Sequence, residues 1–200
     1  MTGRFSNLTK VPAEPAAKLL AQSNVKLTTP LTSPASAPIE AVLDELAGQK
    51  ANADLLRVIS VVLPPRERVW WACLAARDIV GSGDANETRS LKAAEAWVFR
   101  PTEANREAAI ASLDHADNDD KTTHCAMAVM YCDGTMGTGD LAKMPAPPGA
   151  AAIAAFAMNV EALSHAKDQF ETYMQELVDR AVDIARGGNG KRAAAEPENA

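Results

Sequence analysis

The chain has 200 residues, a formal net charge of −6 at pH 7, and a composition that is 47% hydrophobic but only 4% aromatic. That length suits one domain with a real core, and the acidic balance excludes a general nucleic-acid binder, whose footprint is a basic face. No apolar run approaches the roughly 18 residues of a membrane span, and no apolar h-region follows Met1 to mark a secretory signal.

Residues 1–35 read as a poorly ordered arm, broken at Pro12, Pro15, Pro30 and Pro34, with room for a turn or two of helix over Ala16 to Ala21. From 36 to 188 the helical period recurs, and a single helical domain is expected there. Ile39, Val42, Leu43 and Leu46 keep the i, i+3, i+4, i+7 spacing, with Ser36 and Pro38 as start signals and Gly48 as a stop. Asn52 is placed to cap a second helix carrying Leu55, Leu56, Ile59 and Val62. Pro64-Pro65 ends it, and Pro65 suits the first turn of a third. In that third helix Val69, Trp70, Cys73, Leu74 and Arg77 share a face, and Gly81-Ser82-Gly83 closes it.

A fourth helix from about Glu87 presents Leu91, Ala94, Trp97 and Val98 before Arg100-Pro101. Thr102 caps a fifth, alanine-faced helix running to about Leu113. The acidic turn Asp117 to Asp120 then favours the N-terminus of a sixth, which starts at Thr122 or Thr123 with Ala126, Met127, Val129 and Met130 toward the core. Gly134 to Gly139 reads as a flexible connection, and Met144 to Gly149 as a stiff connector of polyproline character.

From Ala150 to Arg186 one apolar stripe runs through Ile153, Phe156, Ala157, Val160, Leu163, Phe170, Met174, Leu177, Ala181 and Ile184, slipping around Ser164 to Asp168. Residues 189–200 have nothing to bury and read as a disordered tail. The expected fold is all-α: six to eight antiparallel helices, with a long C-terminal helix that is bent or split. No period of about 34 residues supports a regular solenoid.

Candidate chemistry is sparse. His124, Cys125 and Cys132 form a soft-ligand cluster, but a structural zinc site normally has four ligands, and His115 would have to come from another helix. Cys73 lies on an apolar face and reads as a core thiol, not a nucleophile. Three cysteines in helical patterns suggest reduced thiols and a cytoplasmic setting. Gly134 to Gly139 lacks the lysine and strand-turn-helix context of a phosphate loop, and Asp117 to Asp120 lacks calcium-loop spacing. No metal, cofactor or catalytic residue is expected. Arg66, Glu67, Arg68 and Arg77 flank Trp70 and Trp71. Adjacent helical residues diverge by about 100°, so one indole is expected in the core and the other at a surface. Trp and Arg are enriched where proteins dock. The expected contact residues are therefore Arg66, Arg68, Trp70 or Trp71, with Met144, Pro145, Pro147 and Pro148 of the connector.

The run Leu63 to Arg77 resembles the signature of an uncharacterised bacterial family of small helical proteins. Ala93 to Arg106, Ala126 to Met136 with the Pro145 to Pro148 loop, and Asp183 to Gly188 are similar to its further blocks, together spanning roughly 40–190. Tyr131-Cys132 departs from the bulky-then-small pair expected before the glycine turn. The resemblance brings no catalytic assignment. It implies proximity to components of contractile (type VI) secretion systems and so an accessory, adaptor or chaperone-like role. The leading expectation is a non-enzymatic module that binds a protein, a secretion component or effector, in the bacterial cytoplasm. The alternatives are a small-molecule-binding or enzymatic domain with an inter-helix pocket, and a structural homo-oligomer.

Overall fold

The computed structural model describes residues 3–81, 87–117 and 119–191. Among them are nine α-helices and no strand: α1 (Ala16–Gln22), α2 (Ile39–Gly48), α3 (Asn52–Val62), α4 (Pro65–Val80), α5 (Arg89–Phe99), α6 (Glu103–Leu113), α7 (Thr123–Met130), α8 (Ala150–His165) and α9 (Phe170–Ala185). The all-α expectation holds. The C-terminal pattern divides, as one of its two expected forms, at a short 3₁₀ turn, Lys167–Gln169, and α1 inside the proline-broken arm takes the count above the expected range. Of the expected features, Ser82 and Gly83, Asn118, and 192–200 of the tail lie outside the described residues.

Helix α4 is the centre, packed against α5, α7, α8 and α9. From Val69 to Ala76 every residue but Trp70 is buried. Ala72, Ala75 and Ala76 let neighbouring helices approach closely, because interaxial distance follows the side chains at the contact. Trp71, not Trp70, belongs to the core: it is fully buried, and its Nε1–H donates to the Leu177 carbonyl of α9 at 3.0 Å. A buried indole needs such a partner.

The α3–α4 junction explains Arg68, which sequence reasoning placed at a contact surface. Prolines 64 and 65 carry no N–H, and the last carbonyls of a helix have no partner within it. Arg68 supplies the missing donors. Its Nε donates to the Ser60 carbonyl at 2.6 Å, and its Nη2 to those of Val61 at 2.9 Å and Leu63 at 2.8 Å. Burial pulls its pKa down to about 10, still well above neutrality. Arg68 is a cap and is not available to a partner.

Helix α8 buries Ala151, Ala155, Met158 and Ala162, while Ile153 and Val160 of the expected stripe are 56% and 40% exposed. Apolar residues surround this helix almost entirely at its start, so periodicity could not pick the inward side. The alanines face the core because α4 and α7 lie close.

The N-terminal segment is packed and not a loose arm. Phe5, Leu8, Ala16, Leu19 and Leu20 are buried in the common core. Lys10 N–H donates to the Ala185 carbonyl at 2.8 Å, and Arg186 reaches back to the carbonyls of Arg4 and Ser6 at 2.6 and 3.0 Å. Residues 28–33 hang on two carboxylates. Asp54 Oδ2 accepts from the amides of Thr28 and Thr29 at 2.9 and 2.7 Å, and Glu45 accepts from those of Thr32 and Ser33 at 2.5 and 2.9 Å. Prolines interrupt helices here without preventing burial. At Gly149 (φ 77°) an added Cβ would sit 2.3 Å from the Ser23 carbonyl oxygen, so only glycine lets the arm meet the start of α8.

Two outcomes follow from this packing. Trp71→Ala removes a fully buried indole and is expected to cost about 3–5 kcal/mol in urea unfolding, against about 1–2 kcal/mol for Trp70→Ala; equal losses would mean that the two indoles share one role.

The second concerns acid. Burial by itself would raise the Asp54 pKa, but hydrogen bonds from Thr29, Arg57 and Thr28 outweigh it and hold the carboxyl at about 2. Glu45 is also held at about 2, by hydrogen bonds from Ser33 and Thr32. Both values lie below the ordinary range, so the stabilisation is complete above about pH 4.5 and lost as pH falls toward about 2. Amide-exchange protection of Thr28, Thr29, Thr32 and Ser33 should fall across that interval before the core opens. Protection that survives at the acid end would show that these carboxylates do not hold the arm.

Candidate functional site

Trp70 sits at the boundary that Trp71 vacates. Its indole is half-buried, and Nε1–H donates to the Asn189 carbonyl at 2.7 Å. Phe99, the last residue of α5, meets it edge-on at 5.7 Å between ring centroids and is 68% exposed. Lys191 Nζ lies 5.7 Å from the Trp70 ring centroid, within cation–π range. Arg66 Nε donates to the Val98 carbonyl at 2.7 Å, capping the end of α5 and standing beside the aromatic pair. A groove of about 290 Å³ opens here, with Lys10, Glu67 and Ile184 completing its wall.

Behind the pair lies a second hollow of about 450 Å³. Its carboxylates are spent on cations of the same wall, while Lys191, which also lines it, lies over the Trp70 ring. Arg77 pairs with Glu95 at 2.5 Å and Glu87 at 2.6 Å, and hydrogen bonding to Glu95 first, then Glu87, pushes its pKa up. Arg180 and the Tyr173 hydroxyl both donate to Asp78 Oδ2 at 2.7 Å. Burial and then the Asp78 contact raise the Tyr173 pKa, so the phenol stays protonated. Arg77, Glu95, Arg180 and Asp78 are thus closed ion pairs, and Lys191 stands outside them.

Of the residues expected to contact a partner, Arg66 and Trp70 come together at this groove. Trp71 is in the core and Arg68 caps α3. Met144, Pro145, Pro147 and Pro148 are exposed but do not line this groove. Met136 N–H donates to the Met144 carbonyl at 2.9 Å, and Ala146 N–H to that of Gly134 at 2.8 Å. The Gly134 to Gly139 stretch, expected to be flexible, is pinned by Arg106. That buried side chain pairs with Asp133 and donates to the Met130 carbonyl at 2.6 Å and Thr135 Oγ1 at 2.9 Å.

Phe99, Lys10 and Lys191 went unrecognised as site residues. Phe99 did leave a signal: it falls just off the Leu91–Ala94–Val98 face of an amphipathic helix, where a large aromatic has no core to fill. Lys10 and Lys191 lay in segments expected to be loose, and only tertiary packing brings them here.

The remaining candidate chemistry is quiet. Cys73 and Cys125 are fully buried, and burial, with Cys125 beside it, raises the Cys73 pKa. Burial lifts the Cys132 thiol to about 11. Neither is a thiolate at neutral pH. Burial lowers the His124 pKa. Among the described residues no group of three or more His, Cys, Asp or Glu side chains is placed to hold a metal, and no helix is long and apolar enough to cross a membrane.

No curated protein and no solved structure matches the chain. The model of a family of unknown function, DUF6931, matches residues 42–185, a span running from α2 to the end of α9 and containing Arg66, Trp70 and Phe99. The chain belongs to that family of unknown function.

Proposed function

We propose that this protein is a non-enzymatic helical interaction module that docks a protein partner on the Trp70–Phe99 surface. The observation that supports this most is the aromatic pair at the surface, above all Phe99. Phe99 leaves two-thirds of its surface in water at an ordered helix end, 68% by relative area, although burying it would be favourable. An aromatic ridge beside a shallow groove, flanked by arginine, has the composition of a docking hot spot. The groove's volume of about 290 Å³ is at or below the small end of the roughly 300–1,000 Å³ of ligand pockets, which favours a side-chain anchor over a cofactor.

The finer reading is an accessory adaptor or chaperone of a bacterial contractile (type VI) secretion system or its effectors, acting in the cytoplasm. Its support is the resemblance carried by Leu63 to Arg77 and the blocks after it. A second reading, a homo-oligomer, draws on Ile153 and Val160, exposed two turns apart on one side of α8. Sedimentation equilibrium over a wide concentration range separates the two, because Ile153→Asp would dissociate an oligomer built on that face.

The interaction reading is tested by capturing partners from the native cell on the immobilised chain. Trp70→Ala and Phe99→Ser should each lose the captured partner while keeping helical circular dichroism, and Phe99→Ser should melt within a few degrees of the parent. A partner indifferent to both changes, or no partner at all, sinks the reading. Secretion components among the captured proteins would support the finer version.

A further inference from the structure

We infer that the groove beside Trp70 and Phe99 receives an acidic protein segment carrying one large apolar anchor residue. This rests on the interaction reading above and adds the partner's chemistry. The carboxylates lining the groove and the hollow behind it are already engaged: Glu67 by Lys10 at 2.8 Å, Glu95 by Arg77 at 2.5 Å, and Asp78 by Arg180 at 2.7 Å. Two of the cations are not. Arg66, an exposed residue, has no carboxylate partner among the described residues and uses only Nε, on the Val98 carbonyl. Lys191 lies against the Trp70 ring, also with no carboxylate partner among the described residues.

The chain as a whole carries −6. Two cations with no carboxylate partner among the described residues, beside the surface aromatic pair, are therefore a local reversal of sign there, and complementary potential is what selects a partner and fixes its register. The space between them sets the anchor. At about 290 Å³, with Trp70 and Phe99 on one side and Ile184 on the other, the groove has room for one large side chain. Carboxylates on either side of that anchor would meet Arg66 and Lys191. Arginine's planar fork suits a carboxylate in particular.

The full chain can be tested with a displayed library of random dodecapeptides, followed by anisotropy titration of the fluorescein-labelled peptides it enriches. The expected peptides carry Asp or Glu on both sides of a Trp, Phe or Leu. Their affinity should fall at least about tenfold in Arg66→Glu, in Phe99→Ser, and on raising salt from about 50 to about 500 mM. Both variants should keep the parental circular dichroism and melting temperature. Enriched peptides that need Phe99 but carry no acid, or that ignore Arg66→Glu, overturn the acidic-segment assignment and leave the interaction reading standing. Peptides indifferent to Phe99→Ser, or no enrichment, overturn the assignment and count against the interaction reading as well. A self-association abolished by Phe99→Ser would place a second copy in the groove, and that too overturns the assignment.

Discussion

The structure depends on how closely one helix is set among its neighbours. Helix α4 is enclosed by four others, and enclosure imposes conditions on its sequence. Its neighbours must come close, and alanine stands at three of its seven buried positions, Ala72, Ala75 and Ala76. Its one large core residue, Trp71, must find a hydrogen-bond acceptor in the interior, and the carbonyl of Leu177 serves. The turn into it must be tight and rigid, which the paired prolines provide. That turn in turn strands the carbonyls at the end of α3, and Arg68 answers them. Proline pair, arginine, alanines and tryptophan are one solution to the problem of setting a helix among four others while one flank stays at the surface.

Where helices start and stop was legible because the local signals are chemical. Pro65 opens α4, and Thr102 accepts from the Asn105 amide at the start of α6 as its position suggested. Asn52 was misread as a cap: it is the first residue of α3, and Ala51 before it has no side chain that could cap. Hydrophobic period failed on α8, where alanine makes every side apolar and only the approach of α4 and α7 decides which side is inward. It failed also on the N-terminal segment. Phe5 and Leu8 are buried by contacts made across the whole length of the chain, and no local pattern announces such contacts.

The site was half legible. Helical geometry alone required that the two indoles diverge, but it could not say which one the core would take. Arginine beside tryptophan reads as a docking surface, and for Arg66 the position fits; for Arg68 it conceals a cap. The absent N–H groups of Pro64 and Pro65 were the clue to Arg68, since the unpaired carbonyls at the end of α3 call for a donor nearby. Lys10 and Lys191 reach the groove only through the fold, one by way of the segment wrapped on α9 and the other through the chain that follows it.

The groove is consequently assembled from two kinds of sequence. Its aromatic ridge and Arg66 lie inside the span of residues 42–185 that defines the family, whereas Lys10, Asn189 and Lys191 lie outside it. The scaffold thus holds the hydrophobic part of the surface, and the flanking segments bring charge and roof to it. Substitutions in those flanks can therefore change the sign of the rim without disturbing the helix that the core is built around.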